Sequence, residues 1–178
     1  MPGRIIPGRT VVNALSWHQR DSRNYRSDMA EEERHVPAEV EDYLIGLAGR
    51  AGQIGGAIGG AAGSRGGARG GARGAARLQT KVEQRSGDVP GTADQVAARL
   101  TRAFPKATPL EAGGHLRLAV PVGVTGLQQI VIDAELTTAD STQVHVRLRG
   151  FGKEGLISRK PTRSVTDQAW AAITSAAG

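Results

Sequence analysis

The sequence predicts an α+β fold: a small two-layer sandwich with two helices on one face of a three- or four-stranded antiparallel sheet. Three observations carry this expectation. Three consecutive runs in the second half alternate apolar and polar residues, as half-buried antiparallel strands do. A capping-box pattern opens a helix ahead of them, and an amphipathic helical pattern follows them. Neither layer can hide its apolar side alone, and stacking both helices on one side of the sheet is the simplest arrangement that buries everything.

In chain order, residues 1–36 read as an irregular N-terminal arm. Two Pro-Gly pairs lie in the first eight positions, and Val11, Val12, Leu15 and Trp17 suffice for one short amphipathic turn that could dock on a partner. A helix is expected over 37–63. Pro37 suits its first turn, and Glu39, Glu41 and Asp42 favour the positive end of its dipole. Val40, Leu44, Leu47, Ala51, Ile54 and Ile58 then form a stripe at three- and four-residue spacing.

That stripe runs into a glycine-rich segment in which ten of the twenty residues from Gly55 to Gly74 are glycine. Glycine recurs every four residues at Gly55, Gly59, Gly63, Gly67 and Gly71, and a basic residue at Arg65, Arg69, Arg73, Arg77, Lys81 and Arg85. Two readings compete. In a helix, the glycine row forms a groove for close approach of another helix. Each interior glycine, however, costs about 1 kcal/mol relative to alanine, which favours a flexible basic Gly/Ala/Arg linker over 64–87.

The autonomous α+β unit is expected over 88–178. Thr92 and Gln95 form the capping box, Val96, Ala97, Leu100 and Phe104 the buried stripe, and Pro105 the stop. The three strands carry Leu116–Val122, Ile130–Leu136 and Val144–Leu148, with Pro121 marking an edge or an end. A short fourth strand is expected at Leu156–Ser158. Ser164 and Asp167 cap a final helix bearing Val165, Ala169, Trp170 and Ile173.

Composition narrows the chemistry. The chain has no cysteine, so disulfides, thiolate metal sites and cysteine nucleophiles are excluded. Residues 42–87 carry seven basic side chains against two acidic ones, so most of the net charge of +6 sits in the middle segment. No apolar run reaches the 18 or so residues that spanning a bilayer needs, and the expected location is the cytoplasm, with membrane association as the variant.

Three candidate sites emerge. Arg65, Arg69, Arg73, Arg77, Lys81 and Arg85 could meet phosphates or lipid headgroups. Gly55, Gly59, Gly63, Gly67 and Gly71 could pack a helix. A strand register symmetric about Thr125 and Asp140 would put Arg117, Asp133 and Arg147 in one row and align His115, Glu135 and His145 in the next as a two-His, one-carboxylate metal site, although a solvated face of alternating charges explains the same residues.

Gly150-Phe151-Gly152-Lys153-Glu154-Gly155 matches G-x-G-x-x-G but lacks the strand–turn–helix setting of a dinucleotide site, and reads as a hairpin turn. Its second half resembles a KH-type GXXG loop, again without the flanking helices. No cofactor is expected and no catalytic set emerges. The functional expectation is a non-enzymatic binding or assembly module that self-associates or binds an unidentified protein partner. The alternatives are a peripheral membrane protein using the glycine-row helix and arginines, and a nucleic-acid binder using the basic linker. A fourth class, an apolar pocket between helices and sheet, also fits.

Overall fold

The computed structural model describes residues 35–110, 115–123, 126–139, 142–154 and 160–175. The arm expected over 1–36, its last two residues apart, and the strand expected at Leu156–Ser158 lie outside them. The described chain runs α1 (Ala38–Gly56), a 3₁₀ turn (Ala57–Gly59), α2 (Gly60–Arg77), β1 (Thr80–Pro90), α3 (Ala93–Ala103), β2 (Thr108–Leu110), β3 (Leu116–Val122), β4 (Gln128–Thr138), β5 (Gln143–Lys153) and α4 (Pro161–Thr174). The class is α+β. The sheet has five strands in the order β1-β5-β4-β3-β2, and every pairing is antiparallel.

The three strongest strand patterns became β3, β4 and β5. The expected count of three or four strands was too low because β1 and β2 leave little trace in the sequence. In β1, Val82 faces one side of the sheet and Val89 the other, so no alternation builds up. The segment expected to be a linker over 64–87 is therefore helix α2 followed by most of β1, and the boundary expected at residue 88 falls inside a strand.

One sheet face carries the main core. Val96 and Leu100 of α3, Phe104 just past its end, and Val165, Ala169 and Ile173 of α4 bury against Leu118, Ile130, Ile132, Val146 and Leu148. The Thr92–Gln95 capping box forms as expected, with both reciprocal bonds present. The cap expected at Ser164 does not form: α4 starts a turn earlier, with Pro161 in its first turn and Lys160 left-handed at φ 49°.

Gly150 and Gly152 are not a hairpin turn. They lie within β5, where a Cβ would collide with Thr166 and Thr162 of α4, and they let that helix settle onto the strand. β3 is not an edge strand, but Pro121 stands one residue before its end. It pairs with Gln129 on one side and lies beyond the reach of the short β2 on the other.

The opposite face is also covered, so the fold exceeds the two layers expected. Val40 and Leu44 of α1 bury against Val131 and Phe151, with Tyr43, Leu47 and Val82 around them. Polar anchors fix α1 in place. Glu39 accepts from Arg117 at 3.2 Å, Tyr43 donates to Gln129 at 2.7 Å, and Glu41 accepts from both Lys153 and Thr80. Burial pushes the Glu41 carboxyl up, but the bonds from Lys153 and Thr80 outweigh it and hold it below its ordinary value. A carboxyl lowered in the folded state stabilises at neutral pH, and that contribution is withdrawn as the pH falls through its folded value.

Candidate functional site

Helices α1 and α2 form an antiparallel hairpin, reversed at Gly60, whose φ of 76° suits glycine. The two helices meet backbone to backbone. A Cβ on Gly52 would fall on the Gly67 carbonyl, one on Gly56 on the Gly63 carbonyl, and one on Gly71 on the Ala48 carbonyl. The seam therefore joins Ala48, Gly52 and Gly56 of α1 to Gly63, Gly67 and Gly71 of α2. Such contact maximises dispersion and weak Cα–H···O bonding. It also offsets the glycine propensity cost that had favoured a linker.

The seam does not follow the expected glycine row throughout. Gly63, Gly67 and Gly71 lie at the seam, whereas Gly55 and Gly59 face open space and Gly52 and Gly56 take their place. A turn interrupts the helix at residues 57–59, so a register counted straight through it loses phase. Neighbouring glycines should respond to substitution with opposite sign. Gly66 faces open space, and Gly66→Ala is expected to stabilise by about 0.5–1 kcal/mol. Gly67→Ala puts a methyl into the Gly52 carbonyl and is expected to cost about 1–3 kcal/mol in urea denaturation.

The arginines divide into two groups. Arg65, Arg69, Arg73 and Arg77 form an exposed row at four-residue spacing along α2, about 18 Å from first to last. α2 contains no acidic residue, and none of the four arginines makes an ion pair among the described residues. Lys81 and Arg85 lie instead on β1, on the face that meets α4, and Arg85 bonds Asp167 at 3.1 Å through Nε. They do not extend the row.

The isoleucines of the α1 stripe outrun the sheet beneath them. Ile54 is 60% exposed and Ile58 97% exposed near the hairpin tip, and Leu78 and Leu127 are also exposed nearer the sheet. Each isoleucine follows a seam glycine by two residues, as each of Arg65, Arg69 and Arg73 does. A two-residue step along an α-helix turns about 200°, so Ile54 and the arginines occupy the two outer edges of the hairpin, while Ile58 stands in the turn at its tip.

Under the base of the hairpin lies a cleft of about 430 Å³. Leu47 and Ala51 of α1, Gly70 and Gly74 of α2, Leu78 and Leu127 wall it, and Gln129 and Lys153 stand at its floor. This is not the pocket considered between the two helices of the C-terminal unit and the sheet, where α3 and α4 pack against the sheet as core. Compared with known proteins, the chain matches no family model, no curated protein and no solved structure.

The metal trio does not assemble. Asp133 pairs with Arg117 across β3–β4 as the expected register requires, but the β4–β5 register is shifted by two, so Asp133 faces Arg149 and Glu135 faces Arg147. His145 lies opposite Thr137 and bonds Asp88 of β1 at 2.7 Å, while His115 Nδ1 stands 3.3 Å from Asp133. No cluster of three metal-ligating side chains occurs among the described residues. What the shifted register assembles instead is a buried Arg117–Asp133–Arg149 row. Asp133 Oδ2 accepts from Arg149 at 2.8 Å, and Oδ1 lies 3.5 Å from Arg117 Nε. The sequence signal for it was present, but pairing Asp133 with Arg149 required the length of the β4–β5 turn.

Proposed function

We propose that this chain is a non-enzymatic binding module that docks on anionic lipid surfaces through the α1–α2 hairpin. The supporting observation is the hairpin's surface: from Tyr43 to Arg77 it holds five arginines and no acidic residue, and Ile54 and Ile58 stand exposed near its tip. A bilayer uses both kinds of side chain, since isoleucines enter the headgroup–acyl boundary while arginines meet phosphates. A nucleic acid would use the arginines alone, and no aromatic ring beyond Tyr43 is present on the hairpin for base stacking. No helix among the described residues is long and apolar enough to cross a membrane, so the proposed attachment is peripheral.

Co-sedimentation with phosphatidylcholine vesicles, either pure or carrying about 30% anionic phosphatidylglycerol to give a negative surface potential, tests this. Binding is expected with the anionic vesicles alone and should weaken with salt. Arg65→Gln/Arg69→Gln should cost about 2 kcal/mol, or roughly 30-fold, at about 1 kcal/mol per seated arginine. Ile54→Ser/Ile58→Ser should also reduce binding. Recovery in the supernatant under all conditions ends the reading. Tighter binding to duplex DNA, lost in the arginine variant, would replace it with nucleic-acid binding. Mass that rises with protein concentration and falls in the isoleucine variant would replace it with self-assembly.

A further inference from the structure

The cleft beneath the hairpin is used neither by the core nor by the proposed surface attachment. Its walls are aliphatic side chains and glycine backbone from Leu47, Ala51, Gly70, Gly74, Leu78 and Leu127. At its floor, Lys153 Nζ already donates to Glu41 and to the Leu78 carbonyl, and Gln129 Oε1 already accepts from Tyr43. The interior therefore suits an alkyl chain, and the floor ammonium is engaged within the protein.

Charge is arranged along one lip instead. Gly70, Gly74 and Leu78 line the cleft, and each directly follows one of the row's arginines, Arg69, Arg73 and Arg77. On a helix that step is about 100°, which sets the guanidinium row beside the mouth rather than inside it. Leu78 and Leu127, both partly exposed, and Gln128, whose Nε2 donates to the Lys153 carbonyl, complete the rim. At about 430 Å³ the cleft is near the lower end of small-molecule sites, a volume for one chain rather than two.

The geometry points to this cleft as a binding site for a single-chain anionic amphiphile, a long-chain fatty acid, with its chain between hairpin and sheet and its carboxylate at Arg73 and Arg77. The site shares the arginine row with the surface attachment but not the isoleucine tip, so the two readings can fail separately.

The test is calorimetric titration of the full chain with monomeric palmitate, with 1-hexadecanol as the neutral counterpart. Palmitate is expected to bind one per chain and at least about tenfold more tightly than the alcohol, as loss of a charge-assisted contact of about 1.5 kcal/mol implies. Arg73→Gln/Arg77→Gln should bring palmitate to the level of the alcohol. Gly70→Leu/Gly74→Leu fills the cleft from two positions where a Cβ meets nothing within 4 Å, and leucine favours the helix, so this variant should fold. It should lose palmitate while still pelleting with anionic vesicles. Gly66→Leu, equally open but outside the cleft, should retain palmitate. No binding by the parent chain, or undiminished binding by the filled variant, overturns the inference even if vesicle binding persists. Loss of vesicle binding alone, with palmitate retained, sinks the surface attachment and leaves the cleft assignment standing.

Discussion

Asp133→Ala is expected to lower the stability of the domain by about 3–5 kcal/mol, measured as a fall in the urea midpoint. Asp133 is 1% exposed and lies mid-strand between Arg117 on β3 and Arg149 on β5. The side chains of those arginines are themselves only 6% and 12% exposed. Removing the carboxylate strands two guanidinium groups beneath α1 with Glu39 as the remaining partner of Arg117, and Glu39 is largely exposed. The large expected effect comes from the charges left behind rather than from the worth of the pair itself. Replacing all three residues by leucine and methionine should therefore restore much of what the single change removes. If Asp133→Ala alone proves neutral, the row is solvated and the account fails.

A chain beginning at Asp88 is expected not to fold. It lacks Thr80–Gly87, which pair with β5 from Lys153 to Val146, and it lacks α1. Phe151 and Val131, both fully buried under Val40 and Leu44, would face water. Exposing two such side chains costs about 1.5–3 kcal/mol each, before the lost ladder bonds are counted, against a typical total of about 5–15 kcal/mol. Amide NMR signals should be poorly dispersed. A chain beginning at Val36, which retains the hairpin and β1, should give a dispersed spectrum. Dispersed signals from the shorter chain would show that β5 tolerates an open edge and that the hairpin is an appendage.

The α+β core was legible where residues report a single environment. Leu116–Val122, Ile130–Leu136 and Val144–Leu148 each keep one face in the main core, so alternation identified them, and the capping box marked the start of α3. Legibility failed where a residue serves two surfaces or none. The opposite sheet face carries charges such as Arg117, Asp133 and Arg149, which read as solvated although α1 closes over part of them. β1 distributes its two valines between the faces. The glycine segment misled in a different way. Propensity weighs each glycine in an isolated helix, whereas its partner here lies across a turn, at residues 48–56, and the compensation exists only once both helices are present. The four-residue periodicity of the arginines survived into α2, but it ended at Arg77 because a strand with a two-residue period begins at Thr80.

The seam of Gly52, Gly56, Gly63, Gly67 and Gly71 also affects how stability varies with temperature. Apolar surface released on unfolding raises the heat capacity by about 0.45 cal/mol/K per Å², while peptide surface lowers it by about 0.26. The hairpin joins its helices largely through peptide groups and α-carbons, so its opening releases both kinds together and the increments partly cancel. The sheet and its α3/α4 layer, closed by valine, leucine and isoleucine, carry most of the curvature. On cooling, the valine, leucine and isoleucine layer therefore loses relatively more of its contribution than the glycine seam does.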